Sequence, residues 1–216
     1  MTLPIVTLRL ILRRYSEADI PDLAELLDQP SFTSAIPEIA VGLHLQRQNA
    51  RRDDNSQRDA RRGESELHTL RKYIELQNSY LPFERNRFFD LAVELKTEHK
   101  VIGVVSLVRR PYRMGETRFA ISEKYRKQGY TTEAVHGLLE YAFLTLGLRR
   151  VQGETNSENL AAWRVMERLG MHREGILREA VYANGRYLDK AIFGILSREW
   201  KHIVVNWESG GAEKPV

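Results

Sequence analysis

Arg126-Lys127-Gln128-Gly129-Tyr130-Thr131-Thr132-Glu133-Ala134 is the stretch on which the reading of this chain turns. An apolar run, Phe119-Ala120-Ile121, precedes it. Apolar residues at helical spacing follow: Ala134, Leu138, Leu139, Ala142, Phe143 and Leu146. A strand, a tight basic turn holding glycine, then a helix can grip a phosphate. The first-turn N–H groups of a helix lack internal partners and point out of its positive end. Gly129 lets the backbone approach an anion closely, and Thr131 or Thr132 can add a hydroxyl. A solvated basic turn ahead of an amphipathic helix reads the same way locally, so the rest of the chain has to decide.

On the N-terminal side, Glu116 to Ser122 reads as the strand feeding this turn. Ahead of it come Phe88 to Leu95, which alternates, and the apolar run Val101 to Val108. Polar turns at Thr97–Lys100 and Pro111–Gly115 separate the three, which predicts an antiparallel meander. Thr7 to Tyr15 suits a first strand. Ser16, with Glu17, Asp19 and Pro21 behind it, predicts a helix N-terminus, and the helix carries Ile20, Leu23, Ala24, Leu26 and Leu27 towards a core. Residues 31–63 are weakly patterned and hold a charged segment, Arg47 to Arg62. That segment suits a solvated loop or charged helix, or a contact for RNA or an acidic substrate. It holds no aromatic that could stack on bases. Glu64 to Leu81 regains helical spacing before Pro82.

On the C-terminal side, the long helix stops at Gly147, and Arg149 to Thr155 is a further strand. Asn159 to Leu169 is a short amphipathic helix closed by Gly170. Strands near His172–Tyr182 and Tyr187–Leu196 are joined by an Asn184-Gly185 hairpin turn. Residues 207–216 read as a disordered tail, leaving one domain over 1–206. The fold class is α+β, a mixed and mostly antiparallel sheet with helices on both faces.

Composition fits one globular domain: 216 residues, 42% hydrophobic and 29% charged. A net charge of +4 is compatible with an anionic ligand but does not argue for nucleic acid. The absence of cysteine excludes disulfides and thiolate nucleophiles, and no metal site is expected. The start lacks the pattern of a signal peptide, and no apolar run approaches membrane length. A cytoplasmic protein, monomeric or homodimeric, is expected.

Four motifs now coincide with this order of elements. They are the turn Arg126–Thr131, the run Asn159-Leu160-Ala161-Ala162-Trp163-Arg164-Val165-Met166-Glu167-Arg168-Leu169-Gly170-Met171, the stretch Arg173–Arg178, and Gly185-Arg186-Tyr187-Leu188-Asp189. Together they resemble the GCN5-related N-acetyltransferase (GNAT) superfamily, and within it the ribosomal-protein N-terminal (alanine/serine) acetyltransferases. The resemblance covers about Thr7 to Trp200. Thr131 stands where the family's loop has Gly or Ala.

The resemblance implies acetyl-CoA as co-substrate and a sheet splayed at its centre. Backbone groups of Phe119, Ala120 and Ile121 are then expected to pair with pantetheine as an added strand would. The diphosphate is expected on amides of Lys127, Gln128, Gly129, Tyr130 and Thr131, with the side chains of Arg126 and Lys127 in reach. Asn159 and Ala162 face the pantetheine. The reaction implied is acetyl transfer to a primary amine, a protein or peptide N-terminus or a small molecule.

Such a transfer needs positioning, a proton acceptor and a donor to the carbonyl oxygen. Glu116, matching the family's glutamate at the start of its strand, is the first candidate base and Glu154 the second; each also suits a surface charge. Tyr182 and Asp189 suit either an acceptor pocket or a structural hydrogen bond. His136 and His172 read as exposed residues on their elements. Where many family members carry Tyr seven residues after the helix Asn, this chain has Met166; where the nearer subfamily carries Ser, it has Ala162. Water or a hydroxyl such as that of Tyr130 then serves as acid, or the thiolate leaves unassisted. Arg118 stands where relatives carry Gly, and it either narrows the site, binds an acidic acceptor or faces outward. Two other functions fit less well: an acyl-CoA-binding module without turnover, favoured by Met166 and Ala162, and an RNA- or ribosome-binding protein using Arg47–Arg62.

Overall fold

The structure is a computed structural model that describes residues 3–33, 58–80, 88–183 and 185–200. Most of the charged segment Arg47–Arg62, together with Pro82, Asn184 and the tail 207–216, lies outside the described residues. The strands are β1 (Ile5–Val6), β2 (Leu10–Arg13), β3 (Phe88–Leu95), β4 (Lys100–Arg110), β5 (Met114–Ile121), β6 (Arg150–Asn156), β7 (His172–Ala183) and β8 (Arg186–Leu196). The helices are α1 (Ile20–Leu27), α2 (Pro30–Thr33), α3 (Arg58–Ser79), α4 (Tyr130–Glu140), α5 (Leu160–Arg168) and α6 (Ser197–Trp200).

All eight strands form one sheet in the order β1-β2-β3-β4-β5-β6-β8-β7, with β5 and β6 the parallel pair. Val101 to Val108 are all buried because β4 is covered on both faces, which is why its sequence runs apolar without alternation. One core lies between the sheet and α4–α5, built on Leu91, Val105, Leu107, Leu138, Leu139 and Phe193. The other holds Leu23, Leu27, Phe32, Leu70, Tyr73, Ile74, Val104 and Ala120 beneath α1–α3. Successive residues of β5 therefore serve opposite layers: Ile121 the first core and Ala120 the second.

Three expectations need correction. Of the strand expected over Thr7–Tyr15 only Leu10–Arg13 forms; before it Thr7 and Arg9 turn aside to bind a glutamate on α4, and a further short strand, β1, precedes them at Ile5–Val6. The helix expected from Glu64 begins at Arg58. Leu70, Tyr73, Ile74 and Gln77 are its buried residues among those described, and the sequence of its first turns, Arg58-Asp59-Ala60-Arg61-Arg62-Gly63, holds no apolar periodicity to read. The long helix widens after Glu140 into a π-turn, Tyr141–Thr145, in which the Leu146 N–H reaches the Tyr141 carbonyl at 3.1 Å.

Candidate active site

The site begins where strand pairing stops. β5 and β6 pair from Met114↔Arg150 to Thr117↔Gly153 and no further, while β5 continues to Ile121 and β6 to Asn156. The sheet is thus splayed at the point the resemblance requires. On its other side β5 stays paired with β4 throughout, and the Ser122 N–H donates to the Ile102 carbonyl at 2.9 Å. In an antiparallel ladder alternate residues turn both backbone groups to the same neighbour. Ser122, Ala120 and Arg118 accordingly address β4, and Ile121 and Phe119 address the gap. Of the expected stretch Phe119–Ile121, only the outer two residues present backbone groups to a ligand there. The Ile121 carbonyl already accepts from Arg126 Nε at 3.3 Å.

β5 leads through a 3₁₀ turn, Glu123–Tyr125, into the basic loop. Gly129 caps α4 in the left-handed region, φ 82° and ψ −7°, and its carbonyl accepts from the Glu133 N–H at 3.0 Å. Only glycine adopts this conformation without cost, and with helical Tyr130 after it the paired geometry turns consecutive N–H groups towards one point. Arg126, Lys127 and Gln128 are exposed, and Lys127 has no ion-pair partner among the described residues. The loop therefore fits a diphosphate: an open cradle, outward N–H groups and a free cation.

A brace from the distant N-terminus fixes this loop. Glu133 on α4 is 1% exposed. Its Oε1 accepts from Thr7 Oγ1 and from the Arg9 N–H, each at 2.6 Å, and its Oε2 accepts from Arg9 Nε at 2.7 Å. Arg9 Nη1 donates to the Gln128 carbonyl at 3.0 Å, and its guanidinium carbon lies 4.4 Å from the centre of the Tyr130 ring. Tyr130 also stacks edge-on with Tyr125, so its ring is engaged at the loop. Sequence reading missed Thr7, Arg9 and Glu133 as one cluster, since they lie 124 to 126 residues apart. The available signal was an acidic residue inside the first turn of a helix expected to receive a phosphate, where it would repel that ligand unless neutralised.

Both candidate bases flank the splay on the face away from α4. Glu116 lies opposite Gln152 across the parallel pair, and Glu154 follows two residues later on β6, so the two carboxylates share a face. Each is held by a cation: Glu116 Oε2 accepts from Arg110 Nη2 at 3.1 Å, and Glu154 Oε2 from Lys190 Nζ at 2.8 Å. Neither partner was foreseen. On the α4 face, Met166 is buried against Gly153, with its sulfur 3.0 Å from where a Cβ on that glycine would lie. Asn159 caps α5 by accepting from the Ala162 N–H at 3.1 Å, which leaves its amide nitrogen for a ligand; Ala162 is half-buried at the first core.

The remaining candidates lie on β7, β8 and α4. Asp189 Oδ1 accepts from the Glu179 N–H at 2.9 Å, stitching an irregularity in the β7–β8 pairing. Tyr182 is exposed and packs on Tyr187. His172 is exposed as expected, whereas His136 is half-buried with its ring 4.7 Å from that of Trp200, and burial pushes its pKa down.

Comparison with known proteins agrees with this geometry. The chain is 32% identical over 85 residues to the uncharacterized N-acetyltransferase YnaD of Bacillus subtilis (strain 168), covering 39% of this chain and 50% of that protein. It is 28% identical over 128 residues to a spermidine N(1)-acetyltransferase of Vibrio cholerae, covering 58% of this chain and 72% of the relative. The fold is that of the crystal structure of a ribosomal-protein-S5-alanine acetyltransferase from Vibrio fischeri, with a TM-score of 0.61 at 20% identity over 92% of this chain and 99% of that one. The family profile described as "Acetyltransferase (GNAT) domain" matches residues 9–172, and the chain belongs to that family.

Proposed function

We propose that this protein transfers acetyl directly from acetyl-CoA to a primary amine. The observation that carries the reading is the continuity of β5. Its unpaired edge at Phe119 and Ile121 runs from the mouth of the splay to the loop capped by Gly129, so one surface serves both the reactive and the anionic end of the co-substrate. When bound, the co-substrate supplies an activated acetyl carbonyl.

Backbone groups of Phe119 and Ile121 orient the pantetheine as an added strand would, and amides from Lys127 to Thr131 hold the diphosphate. The Asn159 amide nitrogen donates from the facing helix. Glu116, at the mouth of the splay, takes the proton that the amine must lose, and Glu154 stands across the gap as the other acceptor. At positions 162 and 166 the chain places a methyl group and a thioether, so no side chain there stores a proton for the departing group.

The acceptor is a peptide N-terminus or a small amine; the relatives' names include one of each kind. Calorimetric titration of acetyl-CoA into the wild type and into Gly129→Glu tests the reading. The variant puts an anion where the diphosphate rests, so binding should vanish, while the variant's circular dichroism and melting temperature control for the fold. CoA release over a panel of peptides and polyamines then identifies the acceptor. Binding without release from any amine would mark an acyl-CoA-binding module, and a wild type that does not bind would overturn the reading.

A further inference from the structure

We propose that Arg9 is a diphosphate-binding residue of this site, with its Nη2 donating to the coenzyme while its other nitrogens hold the loop. The inference rests on the acetyl-CoA reading above. Arg9 lies outside the basic loop, at the bend between β1 and β2. Its backbone N–H, Nε and Nη1 are all occupied, by Glu133 Oε1, Glu133 Oε2 and the Gln128 carbonyl. Nη2 has no hydrogen-bond partner among the described residues, and the side chain is 33% exposed.

That nitrogen is fixed in place. With two of its nitrogens bonded and the Tyr130 ring 4.4 Å from its carbon, the guanidinium plane cannot turn away. Nη2 stands 3.3 Å from the point a Cβ on Gly129 would occupy. Glycine at 129 therefore does more than permit the positive φ: it leaves open the space into which Nη2 donates, beside the first N–H groups of α4. An oxyanion there meets a pre-oriented charged donor, which loses little side-chain entropy on binding. The buried Glu133 serves as the anchor for that arginine, which accounts for a carboxylate in the first turn of a helix meant to receive a phosphate. Arg126 does not replace it, because its guanidinium is turned back onto Ile121 and Glu123.

Because Arg9 also holds the Gln128 carbonyl, a selective loss of acetyl-CoA affinity separates a role at the diphosphate from a general folding role, and chemical labelling separates a ligand from a brace. Acetyl-CoA and S-acetylpantetheine, which lacks the diphosphate, are titrated into the wild type and into Arg9→Lys, whose ammonium can still reach Glu133 but has no Nη2. Acetyl-CoA affinity should fall about 10- to 100-fold, the range for one charged hydrogen bond, with S-acetylpantetheine affinity unchanged. An equal loss for both ligands, or no loss for either, overturns the proposal. A second measurement needs no variant: phenylglyoxal labelling of Arg9 in the wild type, mapped by mass spectrometry, should be blocked by CoA and not by pantetheine. Labelling that CoA leaves unchanged counts against it. If the wild type binds acetyl-CoA and Arg9→Lys binds it equally, only the role of Arg9 falls; if the wild type binds none, the acetyltransferase reading falls as well.

Discussion

The sulfur of Met166 lies 3.0 Å from the position a Cβ would take on Gly153, the last residue of β6 to pair with β5. Thr117 Cγ2 closes the same spot at 3.7 Å, so the closed end of the splay is lined by methyl and thioether groups rather than by a hydroxyl. Turnover should therefore climb with pH as the acceptor amine loses its proton and then level off. A donor side chain at this place would add a falling alkaline limb as it ionised, near pH ~10 for a tyrosine. A pH profile of kcat under saturating acetyl-CoA checks this, and a bell-shaped curve would show a proton donor elsewhere in the site.

Glu116 and Glu154 share a face across the gap, each bound to a basic partner, and they differ in where those partners come from. Arg110 is carried by β4, the ladder partner of β5, and Lys190 by β8, the ladder partner of β6. Glu116 stays the first candidate because it lies on β5, the strand whose free edge is to orient the co-substrate. Glu116→Gln should lower kcat by roughly 10²- to 10⁴-fold, the usual worth of a positioned base, with little change in acetyl-CoA affinity. Glu154→Gln should lower it by less than about tenfold. The reverse order of effects would move the base to β6.

Gly103 on β4 faces Ile121, and a Cβ there would stand 2.4 Å from the Ala120 carbonyl oxygen and 2.4 Å from Ile121 Cδ1. The carbonyl is backbone and cannot swing aside, so Gly103→Ala must push β5 towards the splay. Overpacking of this kind costs about 1–3 kcal/mol. Because the displaced residues carry the unpaired edge, acetyl-CoA affinity should drop along with the melting temperature. Thermal melting combined with calorimetry checks the pairing of the two losses; a fall in stability alone would mean that the edge had not moved.

The parts of this molecule legible in the sequence are those written in local pattern. The limits of β3 at Phe88 and Leu95 follow from alternation, and the loop at Gly129 from a strand, a basic turn and a helix in succession. The start of α3 was not legible, because the charged run Arg58-Asp59-Ala60-Arg61-Arg62 carries no apolar periodicity. The pairs Arg9–Glu133 and Lys190–Glu154 were invisible for another reason: charges that meet through tertiary packing carry no mark of their partner. The same holds for His136, whose position on α4 gave no sign that Trp200 would cover it.

Asp19 shows how much stability such hidden partners supply. Its carboxylate is 4% exposed and accepts from Arg13 Nη1 and Nη2 at 2.7 and 2.8 Å, from the Ser16 N–H at 2.7 Å, and from the Ser16 hydroxyl at 3.2 Å. Burial alone would raise its pKa, but the bonds from Arg13 and Ser16 together outweigh it and hold the carboxyl below its ordinary value. A group whose pKa is depressed on folding stabilises the fold fully above its unfolded pKa, near ~3.9, and loses that contribution as pH falls through the folded value. Urea unfolding of the wild type should therefore be insensitive to Asp19 from neutral pH down to about pH 5 and weaken below pH ~4. Asp19→Asn keeps the size of the side chain but not the charge that Arg13 requires, and Glu94 is then the one anionic partner of Arg13 among the described residues. The variant should be less stable at neutral pH by about 2 kcal/mol. The difference between the two proteins should shrink as the wild type is acidified. Curves that stay parallel down to pH ~3 would show that the ion pair adds nothing to the fold that an amide does not.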